Sequence, residues 1–293
     1  MSNETIGIAN GTSYDWGGNP DLYGPGMRIG LYLQWFATLT TTALLPEKEV
    51  SAHGLAMLLQ IAIFAGLGFV TTGNDTNAVE VIITLWLLVG PLPSLSWRGI
   101  LQLGTFAGIA RPLLYSAFGA YGCWFWFAGV DRLPKATCAS IAFWGATSAT
   151  GWFRKLGQAV SIASIVGSTV ALTWSLGRTG KGDFELARES KENSTPSRFN
   201  SRFRTFCCCL TVSVVGKSQY HTERVLFGVS LVLIVFAIAT VEHLIRVNHV
   251  VDLVEISSVG QLVPLITGTL SMACCLRGVI LKMNKKDFEP EPS

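Results

Sequence analysis

Charge is scarce in this chain. Asp, Glu, Lys and Arg make up 14% of its 293 residues, and the net charge is only +3. A soluble domain carries about a quarter charged residues, so this composition excludes a disordered polyelectrolyte, a nucleic-acid-binding tail and most soluble enzymes. Catalytic signatures are missing as well. There is no Gly-x-Ser-x-Gly, no His-Glu-x-x-His, no phosphate loop and no Gly-x-Gly-x-x-Gly opening a helix. The seven cysteines lack the paired Cys-x-x-Cys spacing of a structural zinc site. No metal and no cofactor is therefore expected, and nucleic acid is not an expected partner. The polar first 26 residues lack the basic flank and apolar core of a cleaved signal. The first apolar helix is expected to act as its own anchor. No internal repeat of the kind found in many transporters is visible.

What the chain does have is apolar length: 49% of its residues are hydrophobic and the mean hydropathy is +0.43. A helix needs about 20 mostly apolar residues to cross the bilayer core. Seven segments qualify, at 27–45, 50–70, 78–97, about 112–130, 156–176, 225–245 and 256–280. The expected fold is an all-α, polytopic membrane bundle of seven transmembrane helices. Residues 1–26 form an outer segment, 27–176 the first five helices, 177–224 a basic, disordered cytoplasmic loop, 225–280 helices six and seven, and 281–293 a cytoplasmic tail. Residues 99–110, bounded by Arg98 and Arg111, are too short to span and read as an interfacial or re-entrant piece. Residues 136–152 read as a surface loop on the membrane, with a weak eighth helix as the alternative.

Basic residues choose the orientation. With seven spans and the N-terminus outside, sixteen Lys and Arg fall on the cytoplasmic side and six on the other, nine of the sixteen in 177–224. An eighth span at 136–152 would invert the ratio. The glycosylation sequons at Asn3, Asn10 and Asn74 all fall outside in this arrangement, and the one at Asn193 falls inside, where it should stay unused. Among the cysteines, Cys207, Cys208 and Cys209 follow Arg202 and Arg204 in the cytoplasmic loop. S-palmitoylation there would hold the loop on anionic lipid; unmodified thiols are the alternative.

Ionisable residues inside a membrane are costly and default to functional candidates. Glu80 opens helix three, where the helix dipole alone accounts for a carboxylate. Glu242 and His243 close helix six, and Asp252 and Glu255 follow in the short loop to helix seven. With Glu80 these make an acidic, histidine-bearing cluster on the outer face, suited to a cation, a basic ligand or a proton relay; a solvated connector is the plain alternative. Arg28 stands just inside helix one, within reach of Asp21 or of lipid headgroups. Gly26 and Gly30 permit close approach of another helix. Gln34 with Thr38, His53 with Gln60, and Gln261 with Pro264 suit interhelical hydrogen bonding. Pro91, Pro93 and Pro264 are expected to kink their helices.

Seven spans, an outer N-terminus with sequons and a basic third inner loop resemble a G-protein-coupled receptor in topology. The Asp-Arg-Tyr and Asn-Pro-x-x-Tyr signatures of that family are absent. In local wording, residues 18–35 (GNPDLYGPGMRIGLYLQW) and 257–268 (SSVGQLVPLITG) are similar to a group of fungal multi-span membrane proteins of unknown function. That pattern opens helix one with Asn-x-Asp, Gly-x-Gly-x-Arg and Tyr-x-Gln, matched here by Asn19, Asp21, Gly24, Gly26, Arg28, Tyr32 and Gln34. The resemblance implies a fungal membrane protein and no activity. Fungal membrane terpene cyclases have a similar number of spans, but their tryptophan–glutamate pairing is absent, and only Glu80 and Glu242 are plausible acids here. The expected function is a receptor-like or small-solute-handling protein of the plasma membrane or another secretory-pathway membrane. The bilayer is its partner, with a small ligand or a protein still to be named. A non-catalytic accessory protein, linked to a secondary-metabolite pathway in some such proteins, and a membrane enzyme are the alternatives.

Overall fold

The computed structural model describes residues 16–45, 48–73, 76–92, 106–133, 141–144, 147–148, 151–189, 219–248, 250–251, 256 and 258–288. A short strand β1 (Trp16–Gly17) and a turn of helix α1 (Pro20–Tyr23) lead into α2 (Pro25–Leu44), α3 (Glu49–Thr72) and α4 (Ala78–Val89). Helix α5 (Phe106–Trp124) runs through a π-helical turn (Phe125–Gly129) into the short α6 (Val130–Arg132). A hairpin of β2 (Ile141–Phe143) and β3 (Thr147–Ser148) follows, then α7 (Trp152–Glu189), α8 (Gln219–Val247), β4 (Val250–Val251) and α9 (Val259–Phe288). A helix thus stands at each of the seven apolar segments. Five of them, α3, α5 with α6, α7, α8 and α9, are long and apolar enough to cross a membrane.

The long helices alternate in direction. Thr42 meets His53, Gln60 meets Leu88, Trp86 meets Phe236, and Ser116 meets Ser168, so successive helices run up and down the bundle. Exposed large apolar side chains lie along α3, α7, α8 and α9, including Phe69, Val166, Val232 and Leu270. In a soluble fold such a surface would aggregate; toward lipid it is the stable arrangement.

Helix α2 is the exception, and its burial explains why. It carries Arg28, Gln34 and several threonines, and falls short of the hydropathy of the five. Yet Leu31, Gln34, Trp35, Thr38, Leu39 and Thr42 are all buried. A central helix faces neighbouring protein instead of lipid, so hydrogen-bonding side chains cost it little.

Its closest neighbour is α9, parallel to it. Gly26 and Gly30 are spaced as small-xxx-small, and face Gln261, Pro264 and Gly268 on α9. A β-carbon at Gly30 would collide with the Pro264 carbonyl, and one at Gly268 with the Gly30 carbonyl. Backbones this close need glycine on both sides. Helices α5 and α7 make a second, antiparallel seam of the same kind. There Gly119 and Gly122 receive Ile165 and Ser161, and Gly157 lies under the Trp126 indole.

The structure corrects three sequence expectations. Helix α5 begins at Phe106, so residues 106–110 belong to that helix, and Arg111 sits inside it; residues 99–105 lie outside the described residues. Helix α4 ends at Val89, a turn follows at Gly90 and Pro91, which cannot donate to a continuing helix, and Leu92 is helical again; Pro93 lies outside the described residues. Within 136–152, Ile141–Phe143 and Thr147–Ser148 form the β2–β3 hairpin, with Ala142 fully buried and Phe143 stacked on Phe153, and Trp152 already opens α7. The described hairpin residues are strand and turn, so they form no eighth helix, and the hairpin packs on the bundle through Ala142 and Phe143. Helices α7 and α8 also extend into 177–224, to Glu189 and from Gln219; residues 190–218, with Cys207, Cys208 and Cys209, lie outside the described residues.

Candidate functional site

Polar side chains collect at both ends of the bundle. The end that carries β1, the hairpin and β4 is the one read from the sequence as outer. There β1 pairs in parallel with β4, joining the N-terminal segment to the α8–α9 connection.

Glu80 occupies the third position of α4 and completes a capping box with Asn77, whose backbone N–H donates to Oε2 at 3.2 Å. Its other oxygen accepts from the Tyr23 hydroxyl at 2.7 Å and the Asn19 backbone N–H at 3.1 Å. Burial, and then the carboxylate beside it, push the Tyr23 phenol far above its ordinary range, so it remains a donor. The carboxylate thus ties α1 to α4, and it borders a recess of about 490 Å³ lined also by Pro20, Val70 and Thr76. Glu80→Ala removes the acceptor from three donors at once. It should cost about 1–3 kcal/mol, read as a lower melting temperature of the detergent-solubilised protein. An unchanged melting point would contradict the role.

Glu242 serves a different pair of helices. Arg28 of α2 donates to its Oε2 and Tyr32, one turn further along, to its Oε1 at 3.0 Å. This corrects the expected partner of Arg28: Asp21 is exposed and lies against Gly260, while the guanidinium reaches across to α8. Arg28 is only 12% exposed, whereas Glu242 retains 34%. The next residue, His243, turns to the hairpin and stacks flat on Trp144, with ring centroids 4.5 Å apart. Trp144 in turn donates to Thr240 at 3.0 Å. The Nε2 atom of His243 is buried with no hydrogen-bond partner among the described residues. Asp252 and Glu255 lie outside the described residues, as do Asn3, Asn10 and Asn74. Of the five cluster residues, Glu80, Glu242 and His243 therefore stand at one end of the bundle, but their side chains engage different partners. No group of three metal-ligating side chains converges among the described residues.

The remaining α2 and α9 residues serve packing. Gln261 is fully buried and accepts from the Gly26 backbone N–H at 3.3 Å, meeting one of the donors a helix start leaves over. Gln34 donates to Thr38 at 3.2 Å within α2.

The second cluster, at the opposite end, lies among residues read from the sequence only as flanking or packing groups. Arg111 is 4% exposed, so it does not reach out of the bundle. One of its amino groups donates to His53 Nδ1 at 2.6 Å, and His53 Nε2 lies 2.8 Å from the Thr42 hydroxyl. Thr42 gives its own proton to the Thr38 carbonyl at 2.8 Å. The imidazole must therefore carry its proton on Nε2 and accept at Nδ1. A directed chain of donors runs from α5 through α3 to α2, with Glu49 at 3.9 Å from His53. Arg111 beside Pro112 was the one available sequence signal: a cation inside an otherwise apolar run.

The chain matches no family model, and no curated protein or solved structure resembles it at a significant level. The fungal resemblance accordingly rests on residues 18–35 and 257–268 alone.

Proposed function

We propose that the chain is a seven-span membrane protein of a secretory-pathway or plasma membrane, its N-terminus outside and its C-terminus cytoplasmic, that responds to a small ligand at its outer end. Helices at all seven apolar segments, their alternating direction and the sixteen-to-six placement of basic residues support the topology. One observation carries the receptor-like reading. Glu242 holds α2 to α8 through Arg28 and Tyr32 while a third of its side chain stays exposed, and the residue after it, His243, stacks on Trp144. A small organic cation entering there competes with Arg28 for the carboxylate and meets an aromatic face. It thereby favours the arrangement in which α2 and α8 are released from each other.

The test is tryptophan emission of the solubilised protein against a panel of small organic cations, such as choline and spermidine. A saturable change is expected in the wild type and its loss in Glu242→Gln and Trp144→Phe. No response to any member, or the same response in both variants, would sink the reading.

A further inference from the structure

At the end opposite the Glu242 pair, a groove of about 340 Å³ opens on the lipid-facing surface between α3 and α9. Its wall is apolar, from Ala52, Leu55 and Leu270, the last of these 59% exposed. Hydroxyls of Ser51 and Ser271 and the exposed Lys48 add polar groups to the lining. Lys48 has no acidic partner among the described residues, since its neighbour Glu49 is buried and turned toward His53. Its ammonium stands 3.3 Å from where a β-carbon at Gly278 would be, one turn before Lys282. Lys282 donates at 2.6 Å to the Leu44 carbonyl, one of the acceptors left over at the end of α2. One cation, Lys48, therefore lines the end of an apolar, membrane-facing slot, and a second, Lys282, follows one turn beyond Gly278.

We propose that this groove binds an anionic phospholipid, its headgroup phosphate at Lys48 with Lys282 nearby and one acyl chain along Leu55 and Leu270. Charge complementarity selects the occupant. The cytoplasmic leaflet is the anionic one, and a basic side chain near it gains about fivefold in lipid affinity. The proposal rests on the N-out topology only for placing this end at that leaflet. Binding measured in detergent does not depend on orientation, so the two readings fail separately.

The experiment is native mass spectrometry of the full chain in mild detergent, offered phosphatidylserine, phosphatidylcholine or inorganic phosphate at equal concentration. The expected result is a phosphatidylserine adduct retained about fivefold over phosphatidylcholine, with no phosphate adduct. Lys48→Ala should bring the two lipids to parity. Cys274→Trp, which fills the groove from an exposed position, should lose both adducts without lowering the melting temperature. Lys155→Ala, at the other end of the bundle, should keep the preference. Equal retention of the two lipids by the wild type, an unchanged preference in Lys48→Ala, adducts persisting in folded Cys274→Trp, or retention of phosphate alone would each overturn the proposal.

Discussion

Gly268→Ala and Gly30→Ala are each expected to lower the stability of the bundle by about 3 kcal/mol or more. Overfilling a packed interface typically costs about 1–3 kcal/mol, and here the added carbon meets a backbone carbonyl that cannot rotate away. The two helices would have to separate along the whole seam, breaking the Gly26–Gln261 hydrogen bond with it. Gly228→Ala is the control. Nothing lies within 4 Å of a β-carbon there, and alanine is the better helix former, so that variant should be neutral or slightly stabilised. Thermal unfolding in detergent distinguishes them. If all three melt together, α2 and α9 are not in contact as described.

Arg111→Met is the second large effect expected. Removing one partner of a buried charged group costs about 3–5 kcal/mol, because the other is left without compensation. Here His53 Nδ1 loses its donor, and Glu49 loses the nearby positive charge. The signature of that mechanism is recovery. When the polar partners are also replaced by apolar residues of similar shape, the penalty should largely disappear. Arg111→Met combined with His53→Leu and Glu49→Leu should therefore be more stable than Arg111→Met alone, a non-additivity that unfolding measurements read directly. Strictly additive losses would mean that these side chains do not act together.

Much of this architecture is written in local sequence. Apolar runs of the right length mark every long helix, because a lipid-facing helix must be apolar over its whole length. Gly26-x-x-x-Gly30 marks a close-packed face for the same local reason. What the sequence cannot display is pairing between distant segments. Arg28 reads equally well toward Asp21, toward lipid or toward another helix, and only the packing of α2 on α8 brings Glu242 to it. Arg111 looks like the flank of an interfacial piece until α5 is seen to start at Phe106 and carry it against His53. The β2–β3 hairpin is hidden by a composition of Ser, Thr, Gly and Ala that suits neither strand nor span. Its place comes from Phe143 and Trp144 meeting α4, α7 and α8. Helix α2 has no stretch as apolar as the five spans, and it is central because burial against protein removes the demand for apolarity.

The topology is tested most directly by glycosidase treatment of variants that each carry a single glycosylation tag, placed in the N-terminal segment at Asn3, after Pro46 or at Asn193. Seven crossings with the N-terminus outside predict a mass loss for the tag at Asn3 and none for the other two. A glycosylated tag after Pro46 would take α2 out of the membrane, and one at Asn193 would invert the bundle.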